Sequence, residues 1–484
     1  MLSPRRTAAA IVTVLLLGCS SSKDEAPPAP PEVLLPDVQG VPALEDENPD
    51  PNVVEVTLVA QPVNVEIDGK QVAMRGYNGL VPGPMLKAKV GDEVIVHFTN
   101  SLSEATTIHW HGLRISDQMD GSPRIQAPVP PGGEFTYRFK VPEAGTFWYH
   151  PHMHANVQIE SGLYAPIVFI DPAKEPAYDT QRFLVLDDIL IDGTGKKIMA
   201  PFSGGMPDMM VGRYGDTMLT NGRSAKEAHA SAEQGTIERW RLVNTANART
   251  MLLELEGASF RIIGTDGGLL PAPYTTKRLE LAVGQRYDVE VTYDKAGKVS
   301  LINYDQIFDQ NDQMVEVPTT MFAVDVTPSA RVPKVIEWPM IELPSRPADA
   351  SATITINAVQ GGDMGVEWQL NGKSNAEEPL LTYPQGTAVK IRLKNSLGPE
   401  HPFHLHGQFF EIVSRKEPGL KDVVLVPGGV DSYVDIVAYM ENPGRWMIHC
   451  HNLEHQELGM MAEMVITPKD GAPVAPPSGT EHGH

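Results

Sequence analysis

Cysteine is nearly absent from this chain of 484 residues: there are two, Cys19 and Cys450. If an export signal uses Cys19 and a metal uses Cys450, no disulfide remains within the chain. Basic residues are also scarce, 39 Lys and Arg against 61 Asp and Glu, for a net charge of −22. That balance disfavours nucleic acid or an anionic membrane face as partner, and it steers cationic ligands inward. Long apolar runs are missing too. The apolar run from Ala8 to Leu17 is too short to cross a bilayer as a helix.

What is present is ordinary globular material, 42% hydrophobic and 21% charged. The length suggests roughly two to four domains. Glycine and proline, 42 of each, favour turns and short strands over helical bundles.

Arg5, Arg6 and the apolar run compose a signal peptide over residues 1–19. Leu16-Leu17-Gly18-Cys19 resembles a bacterial lipobox, which makes Cys19 the lipidated first residue of an exported cell-envelope protein on the periplasmic side. Cleavage by an ordinary signal peptidase is the alternative. The Arg pair also suits twin-arginine export, although the residues after Arg6 match that pattern poorly. Residues 20–51, rich in Ser, Pro, Ala and acids, are expected to form a disordered tether, and residues 469–484 a similar tail.

One pattern occurs three times. Val90-Gly91-Asp92 opens a strand ending at Asn100, Gln234-Gly235-Thr236 one ending at Asn244, and Gln385-Gly386-Thr387 one ending at Asn395. Each is a glycine turn followed by period-two alternation, as expected for a half-buried strand. Nine residues after Asn100 comes His109-Trp110-His111-Gly112, and nine after Asn395 comes His404-Leu405-His406-Gly407. Nine after Asn244 stands Leu253-Glu254-Leu255 instead.

A second element recurs alongside. Gly145 leads to His150-Pro151-His152, and Gly444 leads to His449-Cys450-His451. The same spacing from Gly297 falls on Ile302 and Tyr304. Three copies of one β-domain are therefore expected, over about 52–171, 172–327 and 328–468, with metal ligands in the outer two only. Short strands with frequent turns indicate Greek-key sandwiches or barrels.

In a strand, neighbouring side chains point to opposite faces. Cys450 can then bind one metal while His449 and His451 reach a second centre, and the other His-x-His pairs converge on the same inter-domain cleft. Thiolate, imidazole and thioether together favour copper. Isolated histidines such as His97 and His229 are left unassigned.

The motifs HWHG, HPH, HPFHLHG and HCHxxxHxxxxM resemble those of three-domain multicopper oxidases, a group that includes laccases, bilirubin oxidases and bacterial cuprous oxidases. The resemblance spans about Asn52 to Pro468. It implies an all-β chain of three cupredoxin-like Greek-key β-sandwich domains in tandem, holding four copper ions. By position it implies a type 1 copper on His401, Cys450, His455 and the weak axial ligand Met460. It places the type 2 copper on His109 and His404, and the type 3 pair on His111, His150, His152, His406, His449 and His451. His154 has no counterpart among these ligands.

The resemblance further implies that dioxygen is reduced to water with electrons taken near a partly exposed His455. Asp120, nine residues after His111, matches the family's acid beside the cluster. Many bacterial relatives carry a proton-relaying Glu directly after the equivalent of His455; here that residue is Gln456, with Glu457 and Glu454 as candidate substitutes. Gln456 hydrogen-bonds but supplies no proton near neutral pH.

For the donor, a phenol or aromatic amine is expected, as in a laccase. Cu(I) or Fe(II) oxidation is the alternative, and a non-enzymatic copper store or electron carrier is disfavoured by the complete ligand set. The region from Pro339 to Trp368 has only Met340 and Met364, so no methionine-rich lid is expected there. Met206, Met209 and Met210 with Asp208 form a small cluster in the middle domain. Glu400, beside His401, and Glu457 are acids near the type 1 ligands.

Overall fold

The computed structural model describes residues 35–476, apart from positions 225, 309, 312, 345, 377 and 475. The three repeated strands occupy the same place in three two-sheet sandwiches. Glu93–Asn100 runs parallel to Val53–Ile67 and antiparallel to Glu134–Lys140. Ile237–Asn244 has the same relation to Thr180–Ile189 and Arg286–Thr292. So does Thr387–Asn395 to Ala350–Val359 and Tyr433–Met440. Alternation decides the facing: Val389, Ile391 and Leu393 are buried while Lys390 and Arg392 are exposed.

The repeated asparagine has a structural cause. Asn100, Asn244 and Asn395 are each fully buried. Asn100 donates to the carbonyls of Glu104 and Val129, both at 2.8 Å, and accepts from Leu102 N–H. Asn244 donates to Arg249 and Leu281 and accepts from Ala246 N–H. Asn395 does the same with Pro399, Pro427 and Leu397. An amide with two donors and an acceptor thus closes the turn that leads to each following strand.

Those following strands lie in the second sheet of each sandwich. His109 stands opposite His150, and His404 opposite His449. In the middle domain Leu253 stands opposite Asn303. Spacing from Gly297 had pointed to Ile302 and Tyr304, but the pairing of Leu253 with Asn303 sets the register one residue further on. The positions matching the two histidines are therefore Asn303 and Asp305. Asn303 accepts from Leu252 N–H and donates to Asp305, which pairs with Arg249.

The tether expected over 20–51 is corrected for its second half. Val38–Gln39 pairs in parallel with Gln181 and Arg182 of the middle domain. Leu44 N–H and Met85 N–H exchange bonds with Met85 and Pro42 carbonyls at 2.8 and 2.7 Å. Val38 and Val41 are buried, so apolar burial and backbone pairing outweigh the polar composition. Residues 1–34, with the lipobox, lie outside the described residues.

Between Thr327 and Ala350 the described residues form no helix or strand. This stretch is strapped to the middle domain by Arg331 and Lys334 on Asp179, and by Trp338 donating to the Leu270 carbonyl. The described α-helices are short: Ala155–Gln158, Met206–Val211 and Leu453–Glu457. Among the described residues no helix is long and apolar enough to cross a membrane.

Candidate metal centre

The strands His109–His111 and Gly145–His150 of the first domain meet His401–Leu405 and Gly444–Cys450 of the third. Eight imidazoles converge there: His109, His111, His150, His152, His404, His406, His449 and His451, each at most 5% exposed. They interleave across the interface. His109 stacks on His406 with ring centroids 3.9 Å apart, and His111 on His404 at 3.8 Å. His406 and His449 bring their Nε2 atoms to 3.0 Å.

Hydrogen bonds fix which nitrogen faces inward, because a nitrogen beside a carbonyl must carry the proton. His109 Nδ1–H donates to the Asp120 carbonyl and His404 Nδ1–H to the Asp422 carbonyl, both at 2.9 Å. Each leaves a buried Nε2 with no partner. His150 and His449 donate from Nδ1 to the Pro151 and Cys450 carbonyls. His406 Nδ1–H donates to Asp120 Oδ2 at 2.8 Å. His111 is reversed: Nε2–H donates to Asp422 Oδ1 at 3.2 Å, and Nδ1 faces the cluster. His152 and His451 have no partner on either nitrogen.

Burial, reinforced by neighbouring imidazoles, lowers the pKa of His111, His150, His152, His404 and His406 well below the usual value. His449 is held at about 4, also by burial first. These rings are neutral near pH 7, the form that binds metal. Buried unpartnered nitrogens in such number would each cost about 1–3 kcal/mol without a ligand. The donor set therefore fits copper.

On the other side of Cys450 lies a second, smaller set. Cys450 Sγ is 3.8 Å from His401 Nδ1 and 3.7 Å from His455 Nδ1, and those two nitrogens are 3.2 Å apart. All three residues are fully buried. Burial raises the Cys450 thiol pKa and holds His401 at about 3. Met460, fully buried in the same apolar cluster, accepts Cys450 N–H through its carbonyl at 3.1 Å.

His455 is not partly exposed, as the sequence had suggested; it is fully covered. The cover is the helix Met206–Val211, reaching across from the middle domain. Its last carbonyls, which have no partner within the helix, are taken by the third domain. Trp368 Nε1–H donates to Met209, His455 Nε2–H to Met210 at 3.2 Å, and Asn452 to Val211. The methionine cluster of the middle domain thus lies over His455 and Trp368. Met206 is 55% exposed and Met209 is buried.

Asp120 is fully buried, with its carboxylate on His406 of the cluster. Asp422 is its unforeseen counterpart. It accepts two bonds of 2.6 Å from Arg286, a residue of the middle domain, and Arg286 also approaches Asp266 at 3.6 Å. So the domain without ligands still braces the centre. A carboxylate at the head of the apolar run Val423 to Val426 was the available sign, since a buried strand tolerates one only when it is paired. Gly112, after the first His-x-His pair, has φ +92°, and a Cβ there would stand 2.4 Å from Arg286 Nη2.

The acids near Gln456 have other partners. Glu457 pairs with His154 Nδ1 at 3.1 Å, joining the third domain to the first and raising the His154 pKa. Glu454, fully buried, accepts from Asn247 and from Arg213 N–H, and burial pushes its carboxyl up to about 7. Gln456 is buried on the same helix and makes no side-chain hydrogen bond among the described residues. His97 pairs with Glu55 far from the centre, and His229 is exposed.

Three stretches match the multicopper oxidase family: residues 59–174, 147–325 and 348–470. The multicopper oxidase MmcO of Mycobacterium tuberculosis is 31% identical, over 85% of this chain and 86% of that protein. Laccase-1 of Botryotinia fuckeliana is 30% identical, over 84% and 81%. Among solved structures, a multicopper oxidase from Campylobacter jejuni described as a metallo-oxidase superposes with TM-score 0.77 at 27% identity, covering 91% of this chain and all but 1% of its own.

Proposed function

The chain belongs to the multicopper oxidase family, and from that premise we propose a laccase-like oxidase holding four copper ions. It couples one-electron oxidation of small reducing donors, phenols or aromatic amines, to the reduction of dioxygen to two waters. His401, Cys450, His455 and Met460 would hold the type 1 ion, His109 and His404 the type 2 ion, and the other six histidines the type 3 pair. Bound copper supplies the one-electron chemistry at the first set and dioxygen binding and reduction at the second.

One observation carries the reading: Cys450 belongs to one ligand set while both of its chain neighbours belong to the other. The two sets are therefore joined by the shortest covalent connection a strand allows. His449 Nδ1–H donates to the Cys450 carbonyl at 2.8 Å, adding a second link. Asp120 and Asp422 orient four of the imidazoles and supply carboxylates where oxygen reduction consumes protons. Burial of the cluster excludes bulk water.

Oxidation of Cu(I) or Fe(II) is the second reading, and the helix Met206–Val211 favours it. A phenol cannot lay its ring on a His455 that is fully covered, whereas thioethers on the covering helix suit a soft metal ion. Export and a lipid anchor at Cys19 complete the proposal for the cell envelope, supported by the lipobox-like sequence alone.

Comparing Cu(I), Fe(II) and a phenol as donors at one oxygen electrode tests the choice. A preference for Cu(I) of about three orders of magnitude would replace the laccase-like reading by the second. A colourless protein without oxygen uptake after copper loading would remove the oxidase reading altogether.

A further inference from the structure

With His455 covered, a donor needs another approach to the type 1 ligands. Between the middle and third domains opens a cavity of about 730 Å³, lined by Tyr214, Arg249, Arg278, Glu280, Tyr304 and Glu400 among others. Glu400 is bonded directly to His401. The cavity wall and the type 1 ligand set therefore share one peptide.

The charges in the wall do not cancel. Arg249 is matched by Asp188 at 2.6 Å and Asp305 at 2.5 Å. Arg278 is matched by Glu254 at 2.7 Å and Glu316 at 2.6 Å. Glu280 and Glu400 are left. The Glu400 carboxylate accepts only the Thr250 hydroxyl, at 2.5 Å, and Glu280 makes no hydrogen bond or ion pair among the described residues. Two aromatic rings line the same cavity as these carboxylates, each braced on one side: Arg249 lies 4.9 Å from the Tyr214 centroid and Arg278 5.0 Å from that of Tyr304. Carboxylates beside free aromatic surface suit a ligand that is itself aromatic and positively charged. The net charge of −22 concentrates such cations near the surface.

We propose that this cavity binds cationic aromatic amines, held by Glu280 and Glu400 against Tyr214 and Tyr304, and that their electrons enter at His401 through the Glu400–His401 peptide. The inference rests on the oxidase reading above and deepens it by naming the donor's charge and its point of entry. Four protonated amines each lose one electron and one proton and leave as radical cations; those four electrons and four protons, with one dioxygen, give two waters.

The test uses the copper-loaded protein and two probes. Phenyltrimethylammonium carries ring and charge but has no N–H to lose; tetramethylammonium carries the charge alone. Calorimetry is expected to show the aromatic cation binding about tenfold more tightly. Glu280→Gln and Tyr304→Ala should each weaken it about tenfold, while Tyr304→Phe, which keeps the ring, retains it. With para-phenylenediamine as donor in mildly acidic buffer, where it carries one positive charge, the first two variants should raise KM by a similar factor and lower kcat less. Equal binding of the two cations, or binding and KM unmoved by both variants, would overturn the proposal. Loss of oxygen uptake with every donor would instead sink the oxidase reading, since the calorimetric result judges the cavity by itself.

Discussion

Asp120 and Asp422 perform the same double task from opposite sides of the domain interface. Each gives its backbone carbonyl to a histidine of its own domain, His109 or His404, at 2.9 Å. Each gives its carboxylate to a histidine of the other domain: Asp120 to His406 at 2.8 Å, Asp422 to His111 at 3.2 Å. The duplicated domains thus orient each other's ligands. The symmetry breaks at one point, because Arg286 clamps both oxygens of Asp422, while the carboxylate of Asp120 meets only imidazoles.

Removing the two charges should therefore have unequal costs. Asp422→Asn leaves the fully buried Arg286 with backbone carbonyls and the more distant Asp266 carboxylate, and a buried charge stripped of its ion partner costs about 3 kcal/mol or more. Asp120→Asn strands no guanidinium and should cost about 1–2 kcal/mol. Urea unfolding of the copper-free proteins measures both, and equal losses would refute the role given to Arg286.

The covering helix gives a second expectation. Replacing residues 204–212 by a shorter turn removes the Met209, Met210 and Val211 carbonyls from Trp368, His455 and Asn452. His455 then becomes accessible, and kcat/KM for bulky phenols should rise about tenfold, a gain of about 1.4 kcal/mol in transition-state stabilisation. The blue colour should persist, because His401, Cys450 and His455 all come from the third domain. Unchanged phenol kinetics would show that this helix is no barrier.

Much of this was legible beforehand. Spacing from three asparagines found the repeated strand because a buried amide with three fixed partners tolerates no substitute there, and His-x-His alternation anticipated the converging imidazoles because one strand face must present both rings. The register in the middle domain was not legible, since Asn303, which pairs with Leu253, stands one residue further from Gly297 than His150 and His449 stand from Gly145 and Gly444. Nor was the cover over His455, which depends on where a six-residue helix of another domain lands. Arg286 and Asp422 are separated by well over a hundred residues, and only the closed interface brings them together.

Gln456 stands where the family resemblance puts a proton-relaying acid. Its side chain makes no hydrogen bond to Asp120, Asp422 or a cluster imidazole among the described residues, and the neighbouring Glu457 is held by His154. Gln456→Glu should accordingly change oxygen-limited turnover by less than about twofold across the pH range. A several-fold rise below neutral pH would restore this position as a point of proton entry.

Acid should loosen the seam between the middle and third domains at Glu417. Its carboxylate accepts from Lys421 Nζ and from the Tyr287 hydroxyl, each at 3.0 Å, and from Arg415 at 2.8 Å. Burial alone would raise its pKa, but Lys421 and Arg415 outweigh burial and hold it at about 2. A carboxyl lower in the folded than in the unfolded chain stabilises above the unfolded value, near 4.5. That stability is lost as pH falls from there towards 2, and its upper limit is about 3 kcal/mol. Glu417→Gln forgoes it at every pH. The difference in unfolding free energy between the native protein and this variant should therefore be largest above about pH 5 and shrink by pH 3; a difference constant between those values would show that Glu417 titrates as an ordinary surface acid.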